Sequence, residues 1–180
     1  MTDMSLRPHV SSPGRTYKWY TGTPVYEFGF GLHYTTFNVS WSLTPPSTFD
    51  ISSLITSAKE TNVSFIDLAP LFTFKVNVEN TGQVASDYVT LLFSNTTAGP
   101  LPIPLKELVS YTRLKDIPAG RAKVAELTVT LGSVARVDEE GNSALYPGTY
   151  NIWVDTTREI VHTFELIGQV TEILAWPQPH

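Results

Sequence analysis

The side chains with the most reactive chemistry are few and scattered. The four histidines are His9, His33, His162 and His180. His33 and His162 fall on separate predicted strands and the other two in tails, with no His-x-x-His or carboxylate-paired spacing to hold zinc. Asp138-Glu-Glu-Gly-Asn142 could recruit calcium. Consecutive acids, however, do not reproduce the alternating ligands of a calcium loop and read as an acidic turn. Gly29-Phe-Gly31 lacks the third glycine and the following helix of a phosphate loop, and reads as a tight backbone passage. The serines sit in no Gly-x-Ser-x-Gly elbow. The absence of cysteine excludes disulfides, thiolate metal sites and cysteine nucleophiles. These residues give no catalytic, cofactor-binding or metal site.

Aromatic side chains are the more distinctive feature. Tyr17, Trp19, Tyr20, Tyr26, Phe28 and Phe30 crowd a stretch punctuated by Pro13, Gly14, Gly22, Pro24, Gly29 and Gly31. A free linker has no reason to carry so many, so they are expected to be buried against another domain. Aromatic faces also stack on pyranose rings, which leaves a sugar platform as the competing reading. Glu27 in their midst reads as a surface charge. Three sequons, Asn38-Val-Ser40, Asn62-Val-Ser64 and Asn95-Thr-Thr97, mark Asn38, Asn62 and Asn95 as candidate N-glycosylation sites and lean towards a secreted protein.

The elements that must position these residues are β-strands. The 180 residues suit one domain with appended segments, and 42% hydrophobic against 16% charged residues is enough to build a core. The net charge of −5 comes with no basic cluster, which argues against nucleic-acid and anionic-membrane partners. No apolar run reaches membrane-spanning length, and the first residues lack the apolar stretch of a signal peptide.

Residues 1–31 read as a connector, too rich in Pro and Gly for a helix, with a short β-like run at 16–20. Strands are predicted over 32–43, 71–80, 86–94, 107–117, 124–131, 150–154 and 159–167. A short helix over 50–59 would be capped by Asp50 or Ser52. The alternation of Phe72, Phe74, Val76 and Val78 with polar residues is the clearest strand signal. Pro100, Pro102 and Pro104 suggest an extended connection between sheets. Seven strands with regular turns predict an all-β fibronectin type III or immunoglobulin-like Greek-key sandwich, with an extended N-terminal linker. Tyr150, after Pro147-Gly148-Thr149, fits a tyrosine corner. Trp153 alternates away from Ile152 and Val154 and is expected to be exposed or to cover an interdomain seam. The tail from Gln169 has no evident core to join.

Ordered motifs carry a resemblance that goes further. Pro24-Val-Tyr-Glu-Phe-Gly-Phe-Gly-Leu-His-Tyr-Thr-Thr-Phe37 resembles the signature of glycoside hydrolase family 3 that joins its α/β domain to a C-terminal fibronectin type III-like domain. Pro13 to Gly22 looks like the closing segment of that α/β domain in fungal β-xylosidases. Val78-Glu-Asn-Thr-Gly82, Leu105 to Leu114, Ile117-Pro-Ala-Gly120 and Tyr146-Pro-Gly-Thr-Tyr150 follow in the family's order.

The resemblance implies a linker and α/β remnant at 1–31, the fibronectin type III-like domain at 32–168 and a tail at 169–180. It implies a secreted parent enzyme acting on short β-1,4-xylooligosaccharides in xylan breakdown. The family's aspartate nucleophile and glutamate acid/base lie upstream of the matching region, so neither maps here. Retaining hydrolysis needs two carboxyl groups roughly 5 Å apart beside a sugar pocket, and Glu79, Glu126 and Glu165 are expected on solvent faces or turns. The expected role is a non-catalytic accessory domain whose partners are the catalytic domains of a family 3 glycosidase, with at most a weak polysaccharide contact. A stand-alone carbohydrate- or wall-binding module and an orphaned truncated gene product are the alternatives.

Overall fold

Apolar side chains at every second position give most of this chain one buried face per strand, and two such faces must close on each other. A computed structural model describes residues 3–61 and 63–177. In order, the strands and helices are α1 (Thr16–Trp19), β1 (Phe37–Leu43), β2 (Thr48–Asp50), α2 (Ile51–Glu60), β3 (Pro70–Asn80), β4 (Ser86–Thr96), β5 (Glu107–Ile117), β6 (Ala122–Thr130), α3 (Leu131–Val134), β7 (Arg136–Val137), β8 (Ser143–Leu145), β9 (Gly148–Val154), β10 (Val161–Ile167) and β11 (Thr171–Leu174).

Three sheets result. One is ordered β1-β3-β6, a second β2-β10-β9-β4-β5, and a small third β11-β8-β7. The core lies between the first two. Phe74, Val76 and Val78 of β3 and Ala125, Leu127 and Val129 of β6 meet Leu92, Tyr150, Ile152, Val154 and Phe164 from the opposite layer. Phe164 stacks on Tyr150 with ring centroids 5.4 Å apart. His162 shares that face beside Phe74, and burial pushes its imidazole below the ordinary histidine range.

Several expectations are corrected. The strands number eleven among the described residues, not seven, because β2 adds a parallel edge strand beside β10 and β7, β8 and β11 form the extra sheet. The run at 16–20 is not a strand but a single helical turn, closed by the Tyr20 N–H donating to the Thr16 carbonyl at 2.9 Å. The first strand starts at Phe37 rather than Leu32, which leaves His33 in a loop. The Pro-rich segment does not cross between sheets, because β4 and β5 flank it as antiparallel neighbours. The chain instead crosses from β5 to β6, in the other sheet, through Pro118-Ala-Gly120, where Gly120 takes a positive φ of 65°.

Nor is the tail without a core. Thr171 and Glu172 pair with β8, Ile173 is buried in the main cluster, and Trp176 packs over Gly141. The helix over 50–59 forms as α2, with the Asp50 carboxylate accepting from the Ser53 N–H at 2.9 Å.

The two outer faces of the sandwich differ. On the three-stranded sheet, Asn38 and Ser40, Lys75 and Asn77, and Glu126 and Thr128 point outwards, and Lys75 pairs with Glu126 at 2.7 Å. The five-stranded sheet instead points Phe93 and Trp153 outwards, directly across from one another in register. Both are buried yet outside the main core, so something in the chain must cover them.

Candidate functional site

The cover is the aromatic segment that precedes β1. Gly14, at φ 80°, lets the chain fold back so tightly that a Cβ there would lie 2.7 Å from the Trp19 carbonyl. The α1 turn then lays Tyr17 on the outer face of the sheet. Tyr17 stacks on Phe28 at 4.2 Å, and both rings meet Phe93 edge-on at 6.4 and 6.2 Å. Backbone bonds fix the strap. The Leu105 N–H donates to the Lys18 carbonyl at 2.8 Å, and the Leu108 N–H donates to the Tyr17 hydroxyl at 3.2 Å. Gly29 holds a φ of 93°, and a Cβ there would strike Leu91 at 2.7 Å.

Charges rim the stack. Lys18 pairs with Glu107 at 2.6 Å and Lys106 with Glu27 at 2.8 Å. The Lys106 ammonium also sits 5.3 Å from the Phe93 ring, and the Arg158 guanidinium lies 4.0 Å over Trp153. Trp153 stacks on Phe93 at 6.1 Å and is 2% exposed. The expectation of an exposed Trp153 is therefore corrected, because Arg158 and the Phe93 stack lie on it. Between strap and sheet opens a cleft of about 680 Å³ lined by Tyr17, Tyr20, Tyr26, Phe28, Lys106 and Arg158.

The six aromatics of the segment thus have different surroundings. Tyr17 and Phe28 anchor the strap, and Tyr20 and Tyr26 line the cleft. Trp19 turns the other way, under the Arg7 guanidinium at 5.4 Å. Phe30 stacks on Tyr26 at 5.2 Å, with both rings open to solvent. Beyond them Leu32 and Tyr34 are almost fully exposed, at 88% and 96%.

The strap ends in two polar locks that the sequence reading did not single out. His33 stacks on Tyr88 at 5.1 Å, and the Tyr88 hydroxyl donates to the Asp155 carboxylate. Asp155 also accepts from the Leu91 N–H at 3.0 Å. The second lock is Asn80, fully buried. Its amide donates to the Val84 and Ile117 carbonyls at 2.8 and 2.9 Å, and its oxygen accepts from the Thr35 hydroxyl and the Gly82 N–H. Position at a strand end before Thr-Gly was the available signal for Asn80. Phe93 and Lys106 carried none, since their partners are distant in sequence.

Burial raises the Asp155 carboxyl above the usual range, against the Tyr88 and Leu91 hydrogen bonds and the nearby His33, while Glu159 adds to the rise. Burial, then the Asp155 charge, push the Tyr88 phenol upwards. A carboxyl raised in the fold binds its proton more tightly there than in the unfolded chain. Its contribution to stability is therefore fully present below the ordinary carboxylate range near pH 4 and is lost as pH rises through the folded value. Asp155→Asn is expected to remove that gain, so that on acidification towards pH 4 its Tm changes less favourably than that of the wild type. Thermal melts of both proteins across that range read the difference, and superimposable slopes would contradict it.

Elsewhere, the Tyr150 hydroxyl donates to the Tyr146 carbonyl at 2.8 Å, and burial pushes its phenol up to about 12. Asn38 is exposed on β1, whereas Asn95 is half-buried on β4, and Asn62 lies outside the described residues. Among the described residues, no three His, Asp or Glu side chains gather to hold a metal ion. No helix there is long and apolar enough to cross a membrane.

Comparison with known proteins fits this geometry. A fibronectin type III-like domain is matched over residues 88–157. The chain is 48% identical to a probable exo-1,4-β-xylosidase of Aspergillus fumigatus, over 98% of its own length and 22% of the relative's. A solved family 3 exo-β-xylosidase, in complex with a xylobiose aziridine probe, superposes with a TM-score of 0.88 at 45% identity, covering 98% of this chain and 23% of that one. Over nearly its whole length the chain is thus similar to one segment of family 3 exo-β-xylosidases. It spans about a fifth of the length of the curated relatives it matches, the exo-1,4-β-xylosidase of Aspergillus oryzae among them at 45% identity. A β-glucosidase of Listeria innocua shares the fold, with a TM-score of 0.65 at 20% identity.

Proposed function

We propose that this chain is a non-catalytic accessory domain of a family 3 xylosidase, and that it docks on the catalytic domains through the strap. The whole enzyme would cleave short β-1,4-xylooligosaccharides outside the cell. One observation carries the docking reading: the strap is fixed to its own sheet by Tyr17 and Phe28 yet turns Tyr26, Phe30, Leu32 and Tyr34 outwards. A contiguous exposed apolar strip of this kind marks an interaction surface. The outer face of the three-stranded sheet supports the same orientation, since it is mostly polar, with Leu43 and Val124 the exposed apolar side chains there among the described residues.

The test is binding in trans to a relative xylosidase from which the corresponding fifth has been deleted, followed by sedimentation. The chain is expected to form a complex with it. The double variant Phe30→Ser/Tyr34→Ser should weaken that complex at least tenfold without moving the Tm, because burying each such ring contributes about 1.5–3 kcal/mol. Binding that is absent, or unchanged in the variant, would count against strap docking. A second reading, carbohydrate binding in the cleft, is favoured by its tyrosines flanked by Lys106 and Arg158. It predicts saturable retention on insoluble xylan that the docking reading does not.

A further inference from the structure

We propose that Asn38 carries an N-linked glycan when the chain is exported, and that Asn95 stays bare. The proposal goes beyond the docking reading and stands without it, because it rests on where the fold places two acceptor side chains.

In β1, Phe37, Val39 and Trp41 turn inwards against the core, so Asn38 and Ser40 project together from the opposite face into solvent. β1 is the edge strand of its sheet, paired only with β3, and the register sets Asn38 beside Glu79 and Ser40 beside Asn77. A bulky, hydrated oligosaccharide at Asn38 would meet a polar, open surface and displace no apolar contact. It would also leave from the layer opposite the strap.

Asn95 sits in the reverse situation. It lies inside the five-stranded sheet, between β5 and β9. Its side-chain oxygen accepts from the Asn151 amide at 3.2 Å, and Asn151 accepts in turn from the Thr163 hydroxyl at 2.8 Å. Its own amide nitrogen faces the Leu105 carbonyl at 3.5 Å, in the segment whose backbone holds the strap. A sugar on that nitrogen would push the Leu105 segment away and break the Asn95–Asn151–Thr163 row across three strands. Chains glycosylated there would lose the fold, so the folded secreted product should lack them.

The transfer itself is simple in balance. The Asn38 carboxamide nitrogen attacks the anomeric carbon of a polyprenyl-diphosphate-linked oligosaccharide supplied by the exporting cell. The N–C bond forms, the anomeric C–O bond breaks, the lipid diphosphate leaves with the electron pair, and the amide gives up one proton.

The experiment is to secrete the full chain from yeast behind an export leader, in an Asn62→Gln background so that only two sequons remain. The soluble protein is trimmed with an endoglycosidase that leaves one sugar residue on each occupied asparagine, and its peptides are weighed. The expected result is a residual sugar on the peptide containing Asn38 and none on that containing Asn95. Either Asn38→Gln or Ser40→Ala should then abolish the glycan while leaving the Tm of the trimmed protein unchanged, two routes that guard against a folding defect in one. A bare Asn38, or a sugar on Asn95 in soluble folded protein, would overturn the proposal.

Discussion

Trp153→Ala is expected to lower the stability of this domain by about 3–5 kcal/mol, the range for deleting a fully buried large aromatic. On a chain of this size that corresponds to a fall in Tm of roughly 10 °C or more. The size follows from position. Trp153 lies outside the main core, so its loss would not hollow out the sandwich itself. It would instead remove the surface on which Phe93 stacks and over which Arg158 lies. Phe93 in turn supports Tyr17 and Phe28, so the strap should loosen together with the sheet face. Chemical denaturation gives the stability loss. Proteolysis between Tyr17 and Tyr34 reports the strap and should accelerate in the variant under native conditions. A loss below about 1 kcal/mol would mean that the outer stack contributes little.

The second large effect is expected at Asn80. Asn80→Ala should cost about 2–4 kcal/mol, because each buried polar group left without a partner costs roughly 1–3 kcal/mol. The Ile117 carbonyl is bonded inside the protein, and the Thr35 hydroxyl and Gly82 N–H also lose their acceptor. Asn80→Asp makes the argument sharper. The carboxylate keeps the acceptor that Thr35 and Gly82 use but turns an oxygen onto the Val84 and Ile117 carbonyls. It should therefore be at least as damaging as alanine near neutral pH and partly relieved in acid, where protonation restores one donor. Urea melts of both variants at two pH values decide it. Equal stability of Asn80→Asp and the wild type at neutral pH would refute this account of the lock.

How much of this was legible in the sequence divides along physical lines. Strands β3 and β6 were plain because one face is solvated, so Thr73, Lys75 and Asn77 alternate with Phe74, Val76 and Val78. β9 was harder. Tyr150 and Ile152 alternate as expected, but Trp153 is buried on the other face, against Phe93 of a neighbouring strand and under Arg158. No local period carries that information. The extra sheet escaped for a related reason: β7 and β8 are only two and three residues long and exist through pairing with each other and with β11.

For the site, composition alone set Tyr17 to Phe30 apart from an ordinary linker. It could not separate the anchors Tyr17 and Phe28 from the outward Phe30. That distinction depends on the turn at α1 and on Gly29, whose backbone is open to left-handed angles that a sequence pattern does not reveal.

The central claim, that this chain supports a glycosidase without being one, is tested most directly by turnover of p-nitrophenyl-β-xyloside by the purified 180-residue protein. The account predicts release of p-nitrophenol no faster than in buffer at any protein concentration. Turnover proportional to chain concentration, and retained through successive purification steps, would contradict it.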